Sequence, residues 1–234
     1  MNEIIIILIS IIMIILLKLG FNIKFKDIKC LNSRKNEELA KISNKFPTDE
    51  QICRKILDKK CKKEVKVKIN KEYDSCLYTV YNNTITIGKF KEEYIKIQTI
   101  AHECIHACQD KVSLWFNFII SNIYNIYFFV ICVLAIFTTA NIILLTFVLL
   151  MLAIVKIIVR MYLENEAMNR AKYEAKEYIE ENKLLTKDEE EKLLQEYNDI
   201  NKIGIPLYNY IMITKELIKV IFYKFLTIII SVIK

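Results

Sequence analysis

Long apolar runs dominate the pattern of this sequence and alternate with polar stretches. The longest run without a charged residue extends from Leu114 to Val155, about twice the ~20 residues that one membrane-spanning helix needs. Its least apolar part, residues 138–141, lies in the middle. The pattern therefore predicts a hairpin of two transmembrane helices within residues 114–159, and a single long buried helix is the alternative.

A second apolar run, from Ile4 to Leu17, lies at the N-terminus. It reaches spanning length if the Lys that follows it extends its ammonium group to the interface, so residues 1–21 are predicted to form a membrane anchor. A cleaved signal peptide is the competing interpretation. It is disfavoured because Glu3 precedes the run and no small-residue cleavage site follows it.

The last apolar run, from Leu217 to Ile233, is interrupted by two Lys residues. It predicts a C-terminal helix within residues 203–234. The sequence alone does not decide between a helix that spans the membrane and one that lies in the interface with both ammonium groups exposed.

Residues 22–113 form a polar region with both helical and strand patterns. Thr48 is placed to cap a helix that extends to about residue 60, with Gln51 positioned for a capping box. Residues 64–69 alternate like a half-exposed strand, and residues 77–81 are predicted to pair with residues 84–87. A small sheet therefore precedes a helix within residues 92–111, and the region is predicted to be an α+β domain.

Composition and charge support a membrane protein. Apolar residues make up 54% of the chain, and the formal net charge is +7. This charge fits contact with anionic lipid, and because no nucleic-acid motif is found, nucleic acid is not an expected partner. Basic residues follow the anchor and flank the hairpin, which predicts a multi-pass protein whose polar regions face the cytoplasm. These residues are Lys18, Lys24, Lys26, Lys29, Arg34, Lys35, Lys111, Lys156 and Arg160.

Seven Cys residues are scattered without the even spacing of a disulfide framework. We expect reduced thiols in a cytosolic domain. The residues are Cys30, Cys53, Cys61, Cys76, Cys104, Cys108 and Cys132.

The helix predicted within residues 92–111 carries an HExxH motif, and its two His residues are the only ones in the chain. Residues four apart share a helix face, so His102 and His106 can present imidazole nitrogens to one metal ion. Glu103 lies beside them as a candidate catalytic base. Cys104 and Cys108 follow the His residues by two positions each, so we expect them to point away and pack in the core.

Zinc sites that catalyse reactions hold a third protein ligand and keep a position open. The predicted cytosolic helices of residues 160–202 follow the hairpin and begin with several carboxylates. A hairpin returns the chain to the membrane face from which it left, so Glu164 and Glu166 are both candidate ligands. A surface pair between Glu164 and Arg160 is an equally good interpretation of the residues alone.

Beyond these patterns, the chain resembles the neutral zinc metallopeptidases of bacterial membranes, the YugP-like family. The likeness covers most of the chain and is carried by Thr84–Ile87, Ala101-His102-Glu103, His106-Ala107-Cys108-Gln109, the apolar hairpin, Glu164-Asn165-Glu166-Ala167 and Arg170-Ala171. The chain departs from the family pattern at Ile105, where the family has Gly.

The resemblance assigns the third ligand. The first Glu of the family motif Glu-x-Asp-Ala-x-x-Arg-Ala falls on Glu164 and implies a gluzincin-type site. The Asp of that motif falls on Glu166, a candidate partner that could orient a ligating His.

We therefore predict a mainly α membrane protein with a small α+β zinc-protease domain and a transmembrane hairpin between the HExxH helix and the third-ligand helix. About one Zn²⁺ per chain is expected, bound by His102, His106 and Glu164. The predicted activity is hydrolysis of peptide bonds in peptides or membrane proteins at the cytoplasmic face of a bacterial cell membrane, with Glu103 as base. The alternatives are a non-catalytic zinc-binding membrane protein, such as a sensor or assembly scaffold, and a purely structural membrane protein.

Overall fold

The computed structural model describes residues 2–26, 28–29, 36–60, 62–137 and 141–233, and the described chain is mostly helical with one small sheet. The helices are α1 (Asn2–Gly20), α2 (Glu37–Ser43), α3 (Asp49–Lys59), α4 (Lys96–Cys108), α5 (Lys111–Phe137), α6 (Ile142–Asn182) and α7 (Lys187–Ile233). The strands are β1 (Lys66–Ile69), β2 (Leu77–Thr79) and β3 (Thr84–Ile87). The prediction of a mainly α protein with a small α+β region is confirmed at this level.

The chain divides into two compact units. The first unit comprises Met1–Phe25, Phe116–Met161 and Pro206–Lys234, and the second comprises Lys26–Trp115 and Tyr162–Ile205. Almost all of each apolar run therefore falls in the first unit, and almost all of the polar region falls in the second.

In the first unit, α1, α5 and α6 are each long and apolar enough to cross a membrane. Large apolar side chains lie exposed along these helices, including Ile126, Phe129 and Ile143, a surface that suits lipid better than water. The interior is a cluster contributed by α5, α6 and α7, made of Tyr124, Ile131, Leu149, Ala153, Val220 and Tyr223.

The segment predicted to form the hairpin contains two separate helices, α5 and α6. The side chain of Asn141 accepts a hydrogen bond from the N–H of Leu144 at the start of α6, as a helix N-cap does. The predicted turn at residues 138–140 lies outside the described residues. The second helix does not end near residue 159 but continues to Asn182, because the sequence after the apolar run keeps a helical composition and contains neither Gly nor Pro.

In the second unit, Thr48 caps α3 with the capping box that the sequence predicts. The sheet order is β1-β3-β2. Strands β2 and β3 pair antiparallel, as predicted, whereas β1 pairs parallel with β3. The helix α4 packs against this sheet and α3 through buried apolar side chains, including Ile52, Ile56, Ile85, Ile97 and Ile100.

The helix that carries the HExxH motif is shorter than the predicted segment of residues 92–111. It begins at Lys96 after a short 3-10 turn and ends at Cys108. The next helix starts at once because the carboxylate of Asp110 accepts hydrogen bonds from the N–H and hydroxyl of Ser113. Gln109, between the two helices, adopts an extended conformation.

Candidate metal centre

The two imidazoles lie on one face of α4, one helical turn apart. Nε2 of His106 is 3.0 Å from Nε2 of His102. The ring centroids are 4.6 Å apart, and the rings are nearly perpendicular. Both nitrogens therefore point towards a common position beside the helix.

Glu164 on α6 completes a group of three donor atoms. Its Oε2 lies 3.5 Å from Nε2 of His102 and 3.7 Å from Nε2 of His106. All three donor atoms lie within 4.8 Å of one another. The side chain of Glu164 is buried, so this carboxylate has little contact with bulk water. The structure thus brings together the three residues that the sequence and the family resemblance name as ligands.

A zinc ion fits this donor set. Zinc binds imidazole nitrogen and carboxylate oxygen at about 2.0–2.2 Å, and a tetrahedral arrangement of such ligands has donor-to-donor separations of about 3.3 Å. The observed separations of 3.0, 3.5 and 3.7 Å bracket that value. Two His and one Glu are also a donor set used by catalytic zinc sites, which leave a fourth position open. Ligation itself stays a prediction.

Glu103 is placed beside this donor set without belonging to it. Its carboxylate is buried, and Oε2 accepts a 2.6 Å hydrogen bond from the main-chain N–H of Tyr78 on β2. Burial raises the pKa of Glu103 above its ordinary value, although the two imidazoles and the Tyr78 N–H act in the opposite direction. A buried carboxyl with a raised pKa is a stronger base than an exposed one.

The environment of His106 is negative. Burial lowers its pKa, but the hydrogen bond to Glu164 and the charges of Glu103 and Glu164 outweigh burial, so the pKa lies above its ordinary value. Two carboxylates beside two imidazoles favour positive charge at this position. A divalent cation would supply such charge.

Glu166 is connected to an imidazole through another side chain, that of Gln109. Its Oε2 accepts a 3.0 Å hydrogen bond from Nε2 of Gln109, and its Oε1 is 2.6 Å from a guanidinium nitrogen of Arg170. Oε1 of Gln109 is in turn 2.7 Å from Nδ1 of His106. The predicted link from Glu166 to a ligating His therefore runs through a second side chain.

Two groups at the site have no assigned role in the sequence analysis. Gln109 belongs to the motif that carries the family resemblance, and its position three residues after His106 is the signal that could have indicated a contact. The other group is the main-chain N–H of Tyr78, which contacts Glu103 because β2 packs on α4. No residue pattern in the sequence could have indicated this contact.

The cysteines near the motif are not part of the donor set. Cys104 is fully buried, with Sγ 3.7 Å from Sγ of Cys53, which fits the expected core role. Cys53, Cys76, Cys104, Cys108 and Cys132 are free thiols. Cys30 and Cys61 lie outside the described residues.

Comparison with known protein families gives a match that covers most of the chain. Residues 4–197 match the family described as "Putative neutral zinc metallopeptidase". The matched segment includes all the residues of the candidate metal centre. The chain matches no curated protein and no solved structure. The family match agrees with the resemblance carried by the HExxH and post-hairpin motifs, and the chain belongs to this neutral zinc metallopeptidase family.

Proposed function

We propose that this chain is a membrane-embedded, zinc-dependent peptidase that hydrolyses peptide bonds close to the membrane surface. The observation that carries the proposal is the convergence of His102, His106 and Glu164 on one position, with the buried carboxylate of Glu103 on the same helix as both imidazoles. The family assignment supports the same reaction class.

Each residue has a distinct role in the proposed reaction. His102, His106 and Glu164 would hold the metal, which when bound would supply a Lewis acid that activates water and polarises a carbonyl oxygen. The N–H of Tyr78 holds Oε2 of Glu103, so the other carboxylate oxygen would accept the proton of the attacking water. The same carboxyl group would then return a proton to the leaving amine.

The proposed location at the membrane follows from the sequence neighbours of the site. His106 precedes Leu114, the start of the hairpin's apolar run, by eight residues. Glu164 follows Ile158, an apolar residue near the end of the predicted hairpin segment, by six. The apolar helices α1, α5 and α6 fit a membrane protein. The basic residues that flank these runs favour a cytoplasmic site. Membrane proteins and flexible peptides near the bilayer are therefore the proposed substrates.

The proposal is tested with the full chain purified in detergent and a mixture of quenched fluorescent peptides. We expect hydrolysis that a zinc chelator abolishes and added Zn²⁺ restores. Glu103→Gln should lower turnover by about 100-fold or more, the order expected for loss of a general base, while zinc content stays unchanged. Glu93→Gln, at an exposed position before α4, is the matched control and should keep full activity.

Two outcomes would contradict the proposal. Hydrolysis that a chelator does not reduce would show that the reaction needs no metal. Hydrolysis that survives Glu103→Gln would show that Glu103 is not the base. Zinc bound to a wild-type protein without turnover of any peptide would favour the non-catalytic zinc-binding alternative.

A further inference from the structure

Gln109 lies at the joint between α4 and α5, where its extended backbone turns the chain out of the helix. Its side chain is 5% exposed and contacts groups on both ligand-bearing helices, α4 and α6. A buried primary amide in this position has two donor hydrogens and one acceptor oxygen to satisfy.

We infer that Gln109 is a positioning residue that fixes the tautomer of His106 and connects this imidazole to the helix of Glu164, and that Glu166 acts through Gln109 and not as a ligand. The inference rests on the proposed zinc site and extends it beyond the three ligands.

The direction of the Gln109 amide follows from its neighbours. Its Nε2 lies 2.7 Å from the main-chain oxygen of Leu163 and 3.0 Å from Oε2 of Glu166. A carbonyl oxygen and a carboxylate oxygen can only accept hydrogen bonds, so the NH₂ group must face them. The reverse orientation would place Oε1 against two other oxygens and would lose both bonds.

The amide direction then determines the tautomer of His106. Oε1 of Gln109 faces Nδ1 of His106 at 2.7 Å and can only accept, so Nδ1 carries the hydrogen. The neutral imidazole therefore keeps the lone pair of Nε2, the nitrogen that faces His102 and Glu164. An imidazole can bind a metal only through a nitrogen with such a lone pair.

The same amide also links the two ligand-bearing helices. Leu163, whose oxygen accepts from Gln109, directly precedes Glu164 on α6. Arg170 pairs with the second oxygen of Glu166 at 2.6 Å, which holds the carboxylate with its other oxygen towards Gln109. Loss of the Gln109 side chain would therefore remove the hydrogen bond that orients the His106 ring. It would also remove the hydrogen bond that joins the end of α4 to Leu163, next to the third ligand.

The test uses full-length protein in detergent and measures the Zn²⁺ dissociation constant by competition with a chromogenic chelator. Partners that orient a ligating His typically contribute 10- to 100-fold to metal affinity, so Gln109→Leu should weaken binding by about that factor. Gln98→Leu is the matched control. Gln98 lies on the same helix and bonds to Asn201, and its loss should change zinc affinity by less than about twofold.

The role of Glu166 is separated by a double-mutant comparison. Glu166→Ala alone should weaken zinc binding, but in the Gln109→Leu background it should add no further loss, because the two residues act in series. If Glu166→Ala weakens binding equally in both backgrounds, Glu166 acts independently of Gln109, and the inference is wrong.

A spectroscopic readout distinguishes positioning from general destabilisation. Because the chain has only two His residues, selective ¹⁵N-histidine labelling of the zinc-loaded protein resolves each ring nitrogen. We expect a hydrogen-bonded Nδ1–H at His106 in the wild type that shifts or exchanges away in Gln109→Leu, with smaller changes at His102. A wild type that binds no zinc would contradict the proposed function itself. Normal zinc affinity and an unchanged His106 Nδ1–H in Gln109→Leu would contradict this inference alone.

Discussion

The main-chain N–H of Tyr78 donates a 2.6 Å hydrogen bond to Oε2 of Glu103 and so connects the edge strand β2 to the helix that carries both imidazoles. The orientation of the proposed base therefore depends on where β2 lies. That position depends in turn on the segment before β2, which packs closely against Gly88 after β3. Local packing at some distance in sequence from the HExxH motif should thus affect the reaction.

Gly88 offers a direct test of this dependence. A Cβ atom at Gly88 would overlap the carbonyl oxygens of Tyr73 and Ser75, so Gly88→Ala must displace the backbone before β2. Overpacking of this kind typically costs about 1–3 kcal/mol of folding stability. We expect a lower melting temperature in detergent and reduced turnover with unchanged zinc content.

Gly204 is the matched control for this substitution. It lies within α7, and apart from its chain neighbours and the adjacent backbone of α7, no atom of the described residues lies within 4 Å of a Cβ placed there. Gly204→Ala should leave stability unchanged or raise it by up to about 1 kcal/mol, because Ala is the better helix residue. Equal effects of the two substitutions would contradict the described packing around Gly88.

The segment of α6 in the second unit is held to the C-terminal end of α3 and to the residue that caps it, Lys60, by ion pairs of unequal burial. Lys60 lies 2.7 Å from Glu174, whose side chain is only 8% exposed. Lys60→Met would leave that carboxylate buried without this partner and should destabilise the protein by roughly 1–3 kcal/mol, measured by thermal unfolding. Lys59→Met is the control, because its partners Glu177 and Glu181 are largely exposed, and surface pairs contribute little. A larger loss from Lys59→Met would contradict this account.

Cys76 lies two residues before Tyr78, and the reactivity of its thiol measures how closely this segment is packed. Burial raises its pKa to about 12, a larger effect than the opposing hydrogen bond from the Gly88 backbone. Since only the thiolate reacts, the alkylation rate of Cys76 in the native protein should rise about tenfold per pH unit from pH 7 to 10. Peptide-resolved mass spectrometry would measure it. A plateau near pH 9, as for an ordinary thiol and for the unfolded protein, would show that Cys76 is not packed in this way.

The C-terminal part of α7 is expected to span the membrane. Val220 and Tyr223 are buried in the cluster shared with α5 and α6, and Glu216 pairs with Lys156 of α6 at 2.6 Å. If α5 and α6 span the membrane as proposed, a helix that packs along both of them in this way spans it as well and does not lie in the interface. With a cytoplasmic site, the chain end should then lie outside the cell. Alkaline phosphatase fused after the last residue should be active, and green fluorescent protein at the same place should be dark. The reverse pattern would contradict the expectation.

The features that the sequence predicts correctly depend on local geometry. The spacing of His102 and His106 places both rings on one helix face because helical periodicity is a property of a few consecutive residues. The capping box at Thr48 and the pairing of β2 with β3 likewise involve residues close in sequence. These features need no knowledge of the remaining fold.

The features that the sequence misses depend on packing between distant segments. Residue pattern alone leaves both Glu164 and Glu166 as candidates, because both lie on one helix and only its packing against α4 turns Glu164 towards the imidazoles. The parallel pairing of β1 with β3 and the contact of Gln109 with Leu163 are also long-range. The helix α4 ends at Cys108 because Asp110 caps the next helix. The segment contains neither Gly nor Pro, so its sequence predicts one helix that continues through it.

The central claim is that Glu164 joins the two imidazoles around one zinc ion. The most direct measurement is the zinc content of the wild type and Glu164→Ala, each equilibrated in detergent with buffered nanomolar free Zn²⁺. The account predicts about one zinc per chain in the wild type and a content near zero in Glu164→Ala. A Glu164→Ala protein that keeps the wild-type zinc content would contradict it.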